Sequence, residues 1–156
     1  MLTHERLLQV VRYNPETGVW VWRASRYPIR NGTKAALGLD DKGYHRIKID
    51  GTLYRAGRLA FFYMMRKWPI QIDHIDGNRG DDRWINLREA TCSENCRNRK
   101  VRRDSTTGAK GATRNQRTFI ARVGGRYLGC FATAEDAHRA YWKAAREDYG
   151  DFAREK

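Results

Sequence analysis

Apolar positions open the chain at helical spacing, with Leu7, Leu8, Val10 and Val11 following Thr3, whose hydroxyl suits a helix N-cap. Asn14-Pro15-Glu16-Thr17-Gly18 breaks the pattern and reads as a turn. Val19 to Trp22 is then β-branched and aromatic. Tyr44 to Ile49 and Thr52 to Arg55 alternate around Asp50-Gly51, which predicts a hairpin. Leu59 to Met65 is continuously apolar and predicts a buried helix ending before Pro69. Ile70 to Gly77 reads as a strand entering a loop, Trp84 to Arg88 as the return strand, and Ser93 to Arg97 as the opening of a helix. A polar, basic run without apolar periodicity predicts a linker at 101–107. Beyond it come strands at Thr118 to Val123 and Arg126 to Phe131 around Gly124-Gly125, then a helix from Thr133. Ala134, Ala137, Ala140, Tyr141, Ala144 and Ala145 share one stripe of that helix.

Charge adds a partner to this outline. The 156 residues carry 31 Lys+Arg against 18 Asp+Glu, a formal charge of +13. Five Trp, eight Tyr and five Phe supply a core that a disordered basic tail would lack. A folded protein with this charge favours a polyanion, because each neutralised phosphate releases condensed counterions; nucleic acid comes first, and a merely basic soluble protein is the plain alternative. No stretch approaches the ~20 apolar residues of a membrane-spanning helix, and no secretory leader opens the chain, so a cytoplasmic protein with no membrane partner is expected. Cys92, Cys96 and Cys130 match neither a disulfide framework nor a metal knuckle. Reduced thiols without structural zinc are the expectation.

The charge is uneven. Residues 71 to 104 hold 8 basic and 7 acidic side chains, against 13 and 5 before them and 10 and 6 after. A nearly neutral segment between basic flanks suits holding a cation rather than gripping phosphate. Asp73 and His74 fall at the end of the first strand there and Asn95 on the helix, so a carboxylate, an imidazole and an amide oxygen are candidates to converge. Phosphodiester hydrolysis needs a deprotonated water and charge neutralisation at the phosphate and the leaving oxygen. Asp73 and Asn95 offer the hard oxygen ligands that Mg²⁺ prefers, and His74 offers an imidazole that can take the proton of the water. Each residue alone is more often an ordinary surface or turn residue. The argument comes from their arriving together, with His74 to Asn86 twelve apart and His74 to Asn95 twenty-one apart.

Through IDHIDGNRGDDRWINLREATCSENCRNR, Ile72 to Arg99, the chain resembles the HNH endonucleases, in particular the ββα-metal subgroup of phage homing and nicking enzymes. The resemblance implies that Asp73 and Asn95 hold a catalytic divalent metal, Mg²⁺ with Mn²⁺ as a substitute, that His74 is the general base, and that Asn86 braces the loop. GYHRIKIDGTLYRAGRLAFFYMMRKWP, Gly43 to Pro69, looks like the strand-turn-strand-helix that precedes the motif in phage members. One departure is Gly57, where the family commonly has His before the Arg-Leu pair, so whatever phosphate contact or support that His gives is missing.

From Gly108 the chain resembles the plant-type ethylene-response-factor (APETALA-type) DNA-binding domain, through GAKGA, FIARV, RYLGCFATAEDAHRAYWKAA and YGDFA. Phe119 stands where that pattern usually has Trp. The resemblance implies a three-stranded sheet facing the DNA major groove, with Arg114, Arg117, Arg122 and Arg126 as contacts, since a guanidinium reaches guanine with two bonds or clamps a phosphate. Lys110 is expected on phosphate, and Arg97, Arg99, Lys100, Arg102 and Arg103 along the backbone. Arg23, Arg26, Arg30, Lys34, Arg46 and Lys48 extend the basic surface of the N-terminal part.

The expected fold is α+β: a ββα-metal HNH nuclease core with N-terminal β-hairpins and helices, followed by a small three-stranded antiparallel sheet packed on one helix. The expected modules are a nuclease at 1–100 with its core motif at 70–99, a basic linker at 101–107 and a DNA-binding domain at 108–156. The expected activity is metal-dependent hydrolysis of double-stranded DNA, as a nick or a double-strand cut, by a monomer or a transient dimer on DNA. The alternative is a sequence-specific DNA-binding protein with a catalytically weak nuclease core. An RNA-binding protein is least favoured, because paired aromatic stacking motifs on a recognisable sheet are lacking.

Overall fold

The computed structural model describes residues 2–23, 29–101 and 104–155, so Arg26, Arg102 and Arg103 lie outside the described residues. The chain forms two compact units, 1–92 and 93–156. The first unit therefore ends short of the module boundary expected at 100.

In the first unit α1 (His4–Val10) is capped by the Thr3 hydroxyl, which accepts from the Arg6 N–H. The expected helix stops one residue early. Val11 begins β1 (Val11–Tyr13), which pairs antiparallel with β2 (Trp20–Trp22) across the Pro15 turn. Apolar alternation there, Val11 and Tyr13 inward with Arg12 outward, fits a strand as well as a helix end, and pairing with Trp20 and Trp22 decides for the strand. β3 (Arg46–Ile49) and β4 (Thr52–Arg55) form the expected hairpin. Its turn holds Asp50 and Gly51 at φ 47° and 84°, the left-handed pair a two-residue turn requires.

α2 (Ala56–Met65) follows without a break and ends on Arg66, left-handed at φ 56°. It buries Leu59, Ala60 and Phe62 against Leu7, Trp20, Ile47 and Ile49, which form the core of this unit. β5 (Gln71–His74) pairs antiparallel with β6 (Leu87–Ala90), in the register Asp73 to Arg88 and His74 to Leu87. The return strand thus begins at Leu87 rather than Trp84. Trp84 to Asn86 is a 3₁₀ turn, with Asn86 drawn inward to close the loop. α3 (Cys92–Arg97) completes the strand-strand-helix order expected of the motif.

The second unit is a three-stranded antiparallel sheet, β7 (Ala112–Asn115), β8 (Thr118–Val123) and β9 (Arg126–Phe131), packed on α4 (Ala134–Tyr149). Both strands expected from alternation have the expected limits. Thr133 caps α4 by accepting from the Asp136 N–H. The small residues of the helix stripe let the sheet approach closely, Ala137 lying against Ala112 and Ala121, and Tyr141, Ala144 and Ala145 against Val123. The architecture is mixed, with small sheets and four α-helices among the described residues, in keeping with α+β. No described helix is long and apolar enough to cross a membrane.

Candidate active site

The β5 strand ends on two buried polar residues, Asp73 at 4% and His74 at 5% exposure. Groups so buried need partners. Arg88, opposite Asp73 on β6, donates from Nε at 2.9 Å and from its terminal nitrogen at 2.7 Å, both to Oδ2. This bridge anchors the Asp73 carboxylate across the two-stranded ladder.

His74 faces Asp82, a residue the sequence reading did not single out. Asp82 is buried, with Oδ1 3.4 Å from His74 Nε2 and Oδ2 3.1 Å from His45 Nδ1. The first distance is long for a hydrogen bond. A carboxylate only accepts, so each neutral imidazole presents an N–H to it, Nε2–H from His74 and Nδ1–H from His45. In that tautomer Nδ1 is the acceptor nitrogen of the His74 ring.

The loop holding Asp82 is fastened at several points. Asn86 donates from its amide to the Asp81 carbonyl at 2.9 Å and accepts from the Asp76 N–H at 3.0 Å, spanning the loop from both sides. The Tyr13 hydroxyl donates to the Asp82 carbonyl at 2.6 Å. Burial, then the charges of Asp82 and Asp81, push the Tyr13 phenol well up, so it stays a donor. Gly18, at φ 71°, packs so closely on this loop that a Cβ would lie 2.7 Å from the Arg83 nitrogen.

Gly57, on the first turn of α2, faces the same cluster. A Cβ there would come 3.2 Å from Asp82 Oδ1 and 3.5 Å from His74 Cε1. The place a larger side chain would enter is thus occupied by the Asp82 carboxylate, itself held by His45.

Asn95 and Arg97 lie on α3 and Arg99 just beyond it, all three in the second compact unit. Among the described residues no cluster of three or more His, Cys, Asp or Glu is arranged to hold a metal ion. Asp73, in the first unit, and Asn95, in the second, each carry a hard oxygen of the kind Mg²⁺ prefers. Cys92, Cys96 and Cys130 are exposed free thiols.

The residues expected on DNA are not equivalent. Ladder partners share a face. Arg122 pairs with Tyr127 on the face turned away from α4 and is exposed, and Arg117 sits exposed in the β7–β8 turn. Arg114 pairs instead with Phe119, whose ring packs on the helix side, and Arg126 pairs with Val123 and bridges Asp148 of α4 at 2.7 Å. Arg122 therefore lies on one side of the sheet and Arg114 and Arg126 on the other, with Arg117 in the turn. Lys110 turns inward, its ammonium donating to the Arg97 carbonyl at 2.6 Å. Arg97 lies over the Tyr149 ring at 4.3 Å, while Arg99 is exposed.

Burial, followed by the neighbouring Arg154 charge, lowers the Lys110 amine from 10.5 to about 8. Its folded value is below its unfolded one, so between the two the unfolded chain binds more protons and stability rises with pH. The second unit is expected to gain stability as pH climbs through about 8. Lys110→Met is expected to lessen that gain in thermal unfolding followed across this range; an unchanged slope would contradict the assignment.

Neither the curated proteins nor the solved structures give a match to the chain. Residues 54–97, which carry Gly57, Asp73, His74, Asp82, Asn86 and Asn95, match the family model described as HNH endonuclease, and this supports a nuclease.

Proposed function

We propose that the chain is a metal-dependent endonuclease that hydrolyses a phosphodiester bond of double-stranded DNA, of the phage homing or nicking kind. The observation carrying this reading is His74, buried at the end of β5 with Nε2 turned to Asp82, inside the stretch that matches the nuclease family. His74 takes the proton of the attacking water at Nδ1. Asp82 holds its ring in the required tautomer, and Asn86 keeps the loop that carries Asp82 closed. Asp73 and Asn95 would hold Mg²⁺, or Mn²⁺ in its place, which supplies Lewis-acid stabilisation of the phosphate and the departing 3′ oxygen. The products are 5′-phosphate and 3′-hydroxyl ends.

The second unit, a sheet backed by one helix like the ethylene-response-factor domain it resembles, supplies DNA affinity. Arg122 leads on its open face with Arg117 in the β7–β8 turn, and Arg114 and Arg126, on the helix side of the two outer strands, are secondary contacts. With one His74 per chain, a monomer nicks and a double-strand break needs a transient dimer or sequential nicking.

Supercoiled plasmid and phage DNA incubated with the full chain is expected to become nicked or linear with Mg²⁺ and to stay intact with EDTA. Asp73→Ala is expected to match the EDTA result while retaining DNA binding. Binding without cleavage by the parent in both Mg²⁺ and Mn²⁺ would instead favour a DNA-binding protein with a weak nuclease core.

A further inference from the structure

Beside His74 the first unit gathers cations that the reading above leaves without a task. Arg55 and Arg79 both lie on the ring of Tyr44, their guanidinium carbons 4.1 Å and 5.1 Å from its centroid. That ring is 5.8 Å from the His74 imidazole, centroid to centroid. Three features set this grouping apart from ordinary surface charge. First, Arg55 stands directly opposite Arg46 in the β3–β4 ladder, and like charges so placed destabilise a hairpin. Second, the nearby acid serves the other arginine: Asp40 accepts from the Tyr44 N–H at 2.9 Å and lies 3.9 Å from Arg46, and no described carboxylate comes within 4.0 Å of Arg55 or Arg79. The Asp40 carboxyl is lowered first by the Tyr44 N–H, then by Lys42, Arg46 and Arg55, so Arg55 feels it only through space. Third, both arginines are held without being neutralised. Arg79 donates to the Lys42 carbonyl at 3.0 Å, and Tyr44 supports both through cation–π contact, leaving their charge for an anion.

We propose that Arg55 and Arg79, seated on Tyr44, form a clamp for a DNA backbone phosphate next to the one His74 acts on. The proposal rests on the nuclease reading for its orientation, but its ligand chemistry, a phosphodiester oxygen gripped by planar guanidinium forks, follows from the cations themselves. Holding the strand beside His74 positions the scissile bond, and the same contacts persist from bound DNA to transition state. Their loss therefore weakens binding more than it slows saturated turnover.

The test uses the full chain and a mixed-sequence DNA duplex. In EDTA, the affinity of the parent, Arg55→Ala, Arg79→Ala, the double variant and Tyr44→Leu is measured against salt, with circular dichroism to confirm folding. In Mg²⁺, KM and kcat are measured for the same set. Each arginine is expected to contribute about one unit to the log–log salt slope, so the double variant loses about two. KM is expected to rise about tenfold or more for the double variant, with kcat changed less. Tyr44→Leu, which keeps both charges and removes their support, is expected to fall between parent and double variant. A folded double variant with the parent's salt slope and KM would overturn the clamp, as would a parent that binds no DNA. If the slope falls by two while even the parent cleaves nothing, the clamp stands and the nuclease reading fails.

Discussion

His74→Ala is expected to lower Mg²⁺-dependent DNA cleavage by about 10²- to 10⁴-fold, the range for removing a positioned general base. DNA affinity in EDTA is expected to stay near the parent's, because His74 is buried at 5% exposure and offers little surface of its own to a duplex. Asp82 gives a graded companion. Asp82→Asn keeps the shape and one acceptor but removes the charge facing His74 Nε2 and His45 Nδ1. A loss on the order of tenfold in kcat is expected, as for partners that orient a reacting group rather than touch the substrate, with KM unchanged. Introducing His at position 57 is expected to harm rather than help. At Gly57 a Cβ already meets Asp82 Oδ1 at 3.2 Å, so Gly57→His pushes an imidazole into the carboxylate that holds His74. Single-turnover cleavage of a defined duplex separates these cases. A His74→Ala chain that cuts at the parent's rate would end the assignment of His74 as base, and a faster Gly57→His chain would end the account of Asp82.

What the sequence made legible and what it hid divide along the range of the interactions. The Asp50-Gly51 turn, the Thr133 cap and the strands around Gly124-Gly125 are local devices and lie where the pattern predicts them. The β1 strand is hidden because its alternation continues an apparent helix, and only pairing with Trp20 and Trp22 reveals it. Asp73, His74 and Asn86 were readable as neighbours in one motif. Their partners were not, since His45 reaches Asp82 across 37 positions of sequence and Tyr13 reaches it across 69. A signal did exist: Gly57, noted as a departure, faces the spot where Asp82 and His74 meet. Arg114 and Arg126 carry the same charge as Arg122, and register alone separates them. Lys110 looked like a surface cation because nothing nearby in sequence shows that α3 presents a carbonyl to it.

Gly111→Ala is expected to be the most damaging single change in the second unit. Gly111 stands at φ 75° with no room beside it, since a Cβ would lie 2.0 Å from Tyr141 Cγ and 2.1 Å from Cδ2. Tyr141 belongs to the buried cluster with Val123, Ala144 and Ala145, so it cannot swing away without opening the sheet–helix interface. Left-handed backbone costs an alanine about 1 kcal/mol, and the clash adds overpacking of about 1–3 kcal/mol, for a total of about 2–4 kcal/mol. Small cores leave little reserve, so the loss is expected to unfold much of the unit and weaken DNA binding with it. Gly125 provides the comparison, at φ 89° with nothing within 4 Å of the same added Cβ. Gly125→Ala therefore reports backbone strain alone, about 1 kcal/mol. Urea unfolding of both variants isolates the contact: a larger loss at Gly111 supports close seating of β7 on Tyr141, whereas equal losses would mean that strain is all Gly111 relieves and that the sheet does not rest on the helix at that point.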